Sequence, residues 1–343
     1  MPSPSLTYCG SLTDVRGLEV GQHTLDERPT GCSVVIARSG AVCGVDVRGA
    51  APGTRETDLL HPSNAVGVVH AVLLSGGSAW GLDAAAGVMR WLEEQGIGLR
   101  LGGAPGLLVP IVPAAVLFDL HVGDARIRPS ADAGYAACQA ASSQPVVQGN
   151  AGAGAGATLG KLFGMEGAMK GGIGSASVRV GEVTVAALIA VNALGDVVEP
   201  DGGAPIAGAR TPDGRHLRGS VQALMAGEAP LSILAGTNTT IGVVATDAPL
   251  TKAQAQRLAG AGHDGLARAI RPVHTMSDGD TLFALGTGQA PALDFNVLCT
   301  LAGVAVQRAC VNAVRTARGI QVGDLWLPAA SDLIAASAPP ADV

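Results

Sequence analysis

The chain has few aromatic and few charged residues, and these shortages limit its possible fold classes and partners. Aromatic residues make up 3% of the 343 residues and charged residues 15%, whereas apolar residues make up 48%. So little charge with so much apolar material argues against an intrinsically disordered chain. The formal net charge of −6, without a cluster of basic residues, argues against nucleic acid as a partner. With few aromatics, the core must be packed from Ala, Val, Leu and Gly.

Signals for a metal site, a disulfide framework or a membrane segment are also missing. The 6 cysteines form no CxxC pair, and HxxxH and HExxH patterns are absent, so we expect neither a metal nor a cofactor. The longest apolar run, residues 107–120, is too short to span a bilayer and contains Pro110 and Pro113. The N-terminal sequence MPSPSLTYCGSLTDVRG has no charged head followed by an apolar stretch, so it does not read as a secretory signal. We therefore expect a cytoplasmic protein without membrane association.

What the sequence does contain is a series of strands that are apolar on both faces. Residues 32–48 are predicted to form two strands around Ser39-Gly40. Residues 176–194 are predicted to form a hairpin that turns near Gly181. Strands without a polar face must be covered on both sides, which indicates sheets stacked on one another.

Helices alternate with these strands. A capping box formed by Thr251 and Gln254 predicts a helix over 252–270, and a last helix is predicted over about 294–318. Stacked sheets covered by helices indicate an α/β fold, a four-layer αββα sandwich. No linker-like segment divides the chain, so we expect residues 1–343 to form one domain.

A glycine-rich stretch invites a nucleotide-binding interpretation. GNAGAGAGATLGK, residues 149–161, resembles a phosphate loop, but Ala155 stands where the loop requires glycine and Leu162 replaces the magnesium-binding Ser or Thr. We interpret the stretch as a loop that lets the backbone approach another group closely. Lys161 at its end is predicted to be partly buried and to need a partner, in either a functional or a structural role.

A polar segment at 236–240, Gly-Thr-Asn-Thr-Thr, opens directly into an apolar strand. It is either an ordinary turn or a place where the chain cuts itself. The hydroxyl of Thr239 can attack the carbonyl of Asn238 and form an ester that water hydrolyses. Thr239 then gains its own base, a free α-amine whose pKa is about 7.7–8 in model peptides.

Two further features lie within residues 274–280. Asp278-Gly279-Asp280 is either an exposed turn or a carboxylate pair that orients another group. His274 is not accompanied by a GxSxG elbow, which disfavours serine–histidine catalysis.

Six blocks of the sequence, spread over roughly residues 10–330, form a recognisable series: RPTGCSVVI (28–36), LSGGSAWGLDAAAGV (74–88), GAGAGATLGK (152–161), the strand ending in Val191-Asn192, NTTIGVVATDAPL (238–250) and HTMSDGDTLFALGTG (274–288). Together, and in this order, they resemble the DmpA-type family of L-aminopeptidase/D-esterases, which includes β-peptidyl aminopeptidases and nylon-oligomer hydrolases. The resemblance implies a self-cleaving hydrolase with an N-terminal nucleophile, an αββα sandwich, and two associated chains, here an α chain of residues 1–238 and a β chain of residues 239–343.

The resemblance also implies roles for individual residues. Thr239 stands at the position of the family nucleophile, and Asn192 at that of the asparagine whose amide stabilises the oxyanion. Lys161 matches the lysine near the nucleophile in the nylon-hydrolase branch. Asp278 and Asp280 match the acidic pair of that branch, whereas the aminopeptidase branch has serine and glutamate there.

One position departs from the family pattern. Phe118 stands where members place a tyrosine that donates to the oxyanion, and phenylalanine cannot donate. Losing one such donor costs about 3 kcal/mol of transition-state stabilisation, so either the other donors suffice or activity is weaker or differently directed. We assign Phe118, Gly76 and Gly77 to the substrate pocket and oxyanion site, where glycine lets backbone N–H groups approach the reacting carbonyl.

We therefore predict a self-processing amide hydrolase in which Thr239 forms an acyl-enzyme with small peptides, amides, esters or ω-amino-acid oligomers. Three alternatives stay open: a 6-aminohexanoate (nylon) oligomer endohydrolase of the same family, an acyl transferase like the ornithine acetyltransferases, and a scaffold in which the Asn238–Thr239 bond is never cut. Members of the resembled family commonly form tetramers, so we expect a homo-oligomer, and a tetramer first.

Overall fold

The computed structural model describes residues 7–102, 107–200, 203–231 and 236–337. The first six residues of the N-terminal sequence considered above and the last six of the predicted domain lie outside these ranges.

Eighteen strands lie within the described ranges. They are β1 (Glu19–Thr24), β2 (Gly31–Val47), β3 (Thr54–Arg55), β4 (Val69–Ser75), β5 (Leu99–Arg100), β6 (Leu108–Val109), β7 (Ala114–Val116), β8 (Thr158–Leu159), β9 (Met169–Lys170), β10 (Gly172–Val180), β11 (Val183–Asn192), β12 (Asp196–Val198), β13 (Pro205–Ala207), β14 (Thr239–Thr246), β15 (Ile270–Arg271), β16 (Thr281–Gly286), β17 (Ile320–Val322) and β18 (Leu325–Leu327).

Six α-helices lie within the same ranges. They are α1 (Ala84–Glu94), α2 (Ala131–Gln139), α3 (Ser220–Met225), α4 (Lys252–Ala269), α5 (Phe295–Arg315) and α6 (Ala330–Ser337). The capping box at the start of α4 forms as predicted, because Thr251 accepts from the backbone of Gln254 and the Gln254 side chain returns to the backbone of Thr251.

The long strand β2 connects two sets of strands. Its first part, residues 32–36, pairs with β1 and β4, and its last part, residues 42–47, pairs with β16. The pairing shifts register between Ile36 and Ala41, around Gly40, whose φ is +82°. Residues 32–48 were predicted as two strands. That division is wrong, because one strand continues through Ser39-Gly40 and belongs to both sets.

The two sets of strands pack face to face. One set contains β1, β3, β4 and β7, the other β10, β11, β14 and β16, and β2 runs through both. Val35 and Leu74 of the first set share a buried core with Ile241 and Phe283 of the second. The hairpin of β10 and β11 turns at Gly181, as the sequence predicted.

Helices cover both outer faces. Side chains of α1 and α2 are buried against β2 and β4, as Val34 and Leu73 are against Ala85 and Val88. Side chains of α4 and α5 are buried against β11, β14 and β16 in a separate core. Helix–sheet–sheet–helix packing around these three cores confirms the predicted αββα sandwich.

The last long helix is part of this core. By length and composition alone, α5 could cross a membrane, and it is the one helix of the described chain that could. It packs instead on β10 and β11, and 61% of its most apolar window is buried. Its apolar character is therefore explained by packing within the protein.

Candidate active site

Thr239 opens β14 inside the sandwich. It pairs with Asn192, the last residue of β11, so the two residues lie side by side across adjacent strands. Thr239 is buried, with 2% of its surface exposed. The apolar run that follows it fixes β14 between β11 and β16 and thereby holds the threonine at the strand end.

The carbonyl oxygen of Asn238 receives two hydrogen bonds. The hydroxyl of Thr239 donates to it at 2.5 Å, and the backbone N–H of Gly279 donates to it at 2.9 Å. The nucleophile candidate and a polarising donor therefore meet at the one peptide bond that the sequence marks for cleavage.

In the sequence, Gly279 stands out only as the spacer between two acids. A Cβ at this position would lie 2.9 Å from Thr239 Oγ1 and 2.7 Å from the carbonyl oxygen of Ala51, so a larger residue does not fit without movement. Sequence reasoning missed this donor, although a glycine flanked by two aspartates was the available signal.

Lys161 lies beside the same segment. Its Nζ donates to the backbone oxygen and side-chain Oδ1 of Asn192, at 3.2 and 3.0 Å, and to the backbone oxygen of Thr237 at 3.2 Å. Burial lowers the pKa of Lys161 to about 7, although the charges of Asp278 and Asp119 favour the protonated form. Within the described residues, Lys161 makes no hydrogen bond to Thr239 itself.

The side chain of Asn192 is held from both ends. Its Oδ1 accepts from the backbone N–H of Thr158 at 3.0 Å and from Lys161, and its Nδ2 donates to the backbone oxygen of Phe118 at 3.0 Å. An amide nitrogen carries two hydrogens, and the second one donates to no group among the described residues, so it is available to a bound carbonyl. This arrangement suits the oxyanion role that the resemblance implies.

The two aspartates around Gly279 are both buried but differ in their partners. Asp278 accepts from the backbone N–H of Thr275 at 2.7 Å, and burial followed by the neighbouring Asp280 raises the pKa of Asp278 to about 6. Asp280 accepts from the backbone N–H of Thr240 at 2.7 Å and from His274 Nδ1 at 2.8 Å. The pair is thus built into the site rather than exposed as a turn.

The structure does not support an oxyanion role for Gly76 and Gly77. The N–H of Gly76 donates to the backbone oxygen of Gly31 at 2.9 Å, and that of Gly77 donates to Asp119 Oδ1 at 2.9 Å. Neither donor is free for a substrate. Phe118, by contrast, is part of the site through its backbone oxygen, and its ring lies 4.7 Å from that of His121.

The glycine-rich loop is arranged around a cation. Its backbone oxygens at Gly154 and Ala157, with that of Gly171, accept from Lys170 Nζ at 2.8, 3.0 and 2.9 Å. A phosphate loop presents N–H groups, so this geometry agrees with the rejection of that interpretation. Among the residues the structure describes, no group of three or more His, Cys, Asp or Glu side chains could hold a metal ion.

Comparison with known sequences covers most of the chain. The model of peptidase family S58 matches residues 10–324. An uncharacterized aminopeptidase of Mycobacterium leprae (strain TN) is 49% identical over 306 residues, which is 82% of this chain and 80% of the relative. The 6-aminohexanoate-oligomer endohydrolase of Kocuria sp. (strain KY2) is 34% identical over 278 residues, 80% of this chain and 74% of the relative.

Solved structures share the fold. A beta-aminopeptidase of Burkholderia sp. superposes with a TM-score of 0.72 at 22% identity, over 98% of this chain and 95% of the other. The L-aminopeptidase D-Ala-esterase/amidase of Ochrobactrum anthropi, described as a variant of the Ntn hydrolase fold, gives 0.71 at 21% identity over 98% and 96%. With the sequence matches, these likenesses lead to one conclusion: the chain belongs to peptidase family S58, and it is a hydrolase that acts on peptide bonds.

Proposed function

We propose that the chain cuts itself between Asn238 and Thr239 and that the new N-terminal threonine is the nucleophile of an amide hydrolase. The products are an α chain of residues 1–238 and a β chain of residues 239–343. The observation that carries this proposal is the carbonyl oxygen of Asn238, which receives both the Thr239 hydroxyl at 2.5 Å and the Gly279 N–H at 2.9 Å.

In the first step, Thr239 Oγ1 attacks the carbonyl carbon of Asn238. The Gly279 N–H holds the negative charge that develops on the carbonyl oxygen. The C–N bond then breaks, the Thr239 nitrogen takes a proton, and an ester joins Asn238 to the threonine oxygen. Water hydrolyses this ester and leaves a carboxylate on Asn238 and a free amine on Thr239.

Two groups beside this bond titrate near neutrality and can carry the proton of the hydroxyl. The pKa of Lys161 is lowered to about 7 by burial, so a large share of this amine is neutral at pH 7. The pKa of Asp278 is raised to about 6, so its carboxylate is largely ionised there. We assign the proton transfer in self-cleavage to this pair.

In turnover, the α-amine of Thr239 takes the proton from its own hydroxyl. The oxygen attacks the substrate carbonyl, the remaining N–H of Asn192 Nδ2 and the freed N–H of Gly279 hold the oxyanion, and the amine product leaves with the proton. Water then releases the acid from the acyl-enzyme. Asp280 orients the new N-terminus through the Thr240 amide, to which it is bonded at 2.7 Å.

Short peptides, amino-acid amides and esters, and ω-amino-acid oligomers are the proposed substrates. Aminopeptidase relatives at 49% identity support the first classes. Hydrolysis of 6-aminohexanoate oligomers is the second candidate, favoured by the 34% identical endohydrolase and by the aspartates at 278 and 280. Both candidates use the same acyl-enzyme and differ only in what the pocket accepts.

Denaturing electrophoresis and N-terminal sequencing of the purified protein test the cleavage. We expect two bands in place of one at 34.0 kDa, with the shorter chain beginning Thr-Thr-Ile-Gly. Thr239→Ala should stay uncut and inactive. Thr246→Ala, at the other end of β14, is the matched control and should be cut normally. A fully active single chain would end the proposal.

A panel of amides, esters and oligomers, with and without an added amine acceptor, then identifies the substrate class and separates hydrolysis from acyl transfer.

A homo-oligomer, with a tetramer as the first expectation, and a cytoplasmic location belong to the same proposal. The resemblance to a family that commonly forms tetramers supports the homo-oligomer. Light scattering of the cleaved protein tests the mass of the assembly, and fractionation of the source cells tests the location.

A further inference from the structure

Behind the strand that carries Thr239 lies a polar cluster whose two histidines, His263 and His274, the proposed mechanism does not use. Side chains alternate along a strand, and Val244 of β14 and Leu282 of β16 face the core beneath α4 and α5. Thr240 and Asp280 therefore face the same helix-covered side. Within the described residues, Thr240 Oγ1 and ring nitrogens of His263 and His274 are buried there without a hydrogen-bond partner.

His274 has the most unusual conformation of this cluster. Its φ is +59°, in the left-handed region that non-glycine residues rarely adopt. In this conformation both its backbone N–H and its Nδ1 reach Asp280 Oδ2, at 3.1 and 2.8 Å. Nδ1 carries a hydrogen, because a carboxylate can only accept, and the other ring nitrogen, Nε2, is buried without a hydrogen-bond partner among the described residues. Backbone strain and an unpaired buried atom both occur at His274, which indicates that its conformation serves a function.

His263 of α4 holds the other side of the ring. Its Nε2 lies 2.9 Å from the backbone oxygen of Asp46, and a carbonyl can only accept, so Nε2 carries the hydrogen. Burial lowers the pKa of His263 to about 4, so the ring is neutral at pH 7. It packs edge-on against His274, with ring centroids 4.8 Å apart. The imidazole of His274 is therefore fixed between a neutral ring and Asp280.

Asp280 passes this restraint to the nucleophile. Its Oδ2 is held by His274, and its Oδ1 accepts at 2.7 Å from the N–H of Thr240, the amide that follows Thr239. We infer that His274 is a positioning residue for Thr239: by fixing Asp280 it fixes the Thr239–Thr240 peptide, and with it the direction of the nucleophile. This inference rests on the proposed function.

Three substitutions separate the hydrogen bond from the strained backbone. His274→Asn keeps an amide donor near the position of Nδ1 and is tolerated at positive φ. His274→Gly accepts the backbone conformation but removes the side-chain donor, and His274→Ala removes the donor and keeps the strain. Self-cleavage rate, kcat, KM and melting temperature are measured for each variant and for wild type.

We expect kcat of the Gly and Ala variants to fall about 10- to 100-fold, as for a misplaced reacting group, with KM little changed. Asn should recover most of kcat. His70→Asn alters another buried histidine, outside the site, and should leave kcat unchanged. A wild-type kcat in His274→Gly overturns the inference. A His274→Asn variant whose kcat is no higher than that of His274→Ala overturns it too, as does a His274→Asn variant that does not fold. A wild-type protein that is uncut and inactive instead contradicts the proposed function itself.

Discussion

Two buried lysines, Lys161 and Lys170, look alike by burial and by charge. They are 5% and 0% exposed, and burial lowers the pKa of each to about 7. Their partners differ. Lys170 donates to three backbone oxygens around the glycine-rich loop. Lys161 donates to Asn192 and to the backbone oxygen of Thr237, two residues before Thr239.

The comparison shows that a perturbed pKa does not by itself mark a catalytic group. All three hydrogen bonds of Lys170 go to backbone oxygens of the glycine-rich loop and of the adjacent Gly171, which lie outside the segment 236–240. A lysine that donates to Asn192, the proposed oxyanion donor, and to the segment proposed to be cut can affect the reaction. We therefore assign Lys161 to the site and Lys170 to the fold, and the predictions below test that division.

The largest expected effect is on activity at Lys161. Lys161→Met should slow self-cleavage, because it removes the amine to which we assign the proton transfer of that step. It should also lower kcat of the cleaved protein by about 10²- to 10³-fold, because Asn192, the proposed oxyanion donor, loses the hydrogen bond that orients it. Steady-state kinetics on the best substrate of the panel, with electrophoresis for cleavage, measure both effects.

Lys170→Met is the control for that experiment. Its kcat per folded molecule should stay within about 3-fold of wild type, since kcat changes of 10²-fold are typical of lost groups that act on the reacting atoms and not of distant structural ones. An inactive but folded Lys170→Met, or an active Lys161→Met, would reverse the assignment.

The second effect is on stability at Lys170. Lys170→Met leaves the backbone oxygens of Gly154, Ala157 and Gly171 without their donor. Each buried carbonyl left unpaired costs about 1–3 kcal/mol, offset in part because an ammonium no longer has to be buried. We expect a net loss of about 2–4 kcal/mol in the free energy of unfolding. Urea denaturation in the uncut Thr239→Ala background measures it, and an unchanged midpoint would contradict the structural role.

The third effect is the pH dependence of stability. In the unfolded chain a lysine keeps its proton up to about pH 10.4, whereas in the folded protein Lys161 and Lys170 lose theirs near pH 7. Between these values the unfolded chain binds more protons, so the free energy of unfolding rises with pH, and below about pH 7 this slope vanishes. Removing one lysine should lower the slope by about 1.4 kcal/mol per pH unit.

Urea denaturation measures that difference in slope. It is carried out on Thr239→Ala with and without Lys170→Met, at several pH values between about 7.5 and 9.5, all inside this window. If the two slopes coincide, Lys170 does not titrate in this range and its lowered pKa is wrong.

The sequence predicted the layered fold and brought Lys161, Asn192, Thr239 and the two aspartates together by resemblance. It missed Lys170, because its partners are backbone oxygens that carry no side-chain signature. It missed Gly279 as a donor for the same reason. It assigned that role to Gly76 and Gly77, whose N–H groups are occupied. Contacts made by backbone atoms depend on how distant segments meet, so a local pattern such as Asp-Gly-Asp marks a position without naming its partner.

The smallest expected effect is on kcat at Phe118, which, like Lys161, is hydrogen-bonded to Asn192. Phe118→Tyr restores a hydroxyl where the resembled family has one, but Asn192 Nδ2 and the Gly279 N–H remain as donors, so kcat should rise only about 3- to 10-fold. The backbone oxygen of Phe118 stays bonded to Asn192, which keeps the ring in place. Phe163→Tyr, whose ring lies 3.8 Å from the guanidinium of Arg218, is the matched control and should leave kcat unchanged. A fall in kcat for Phe118→Tyr would show that the site is adapted to an apolar ring, and that the oxyanion is held by the asparagine and backbone alone.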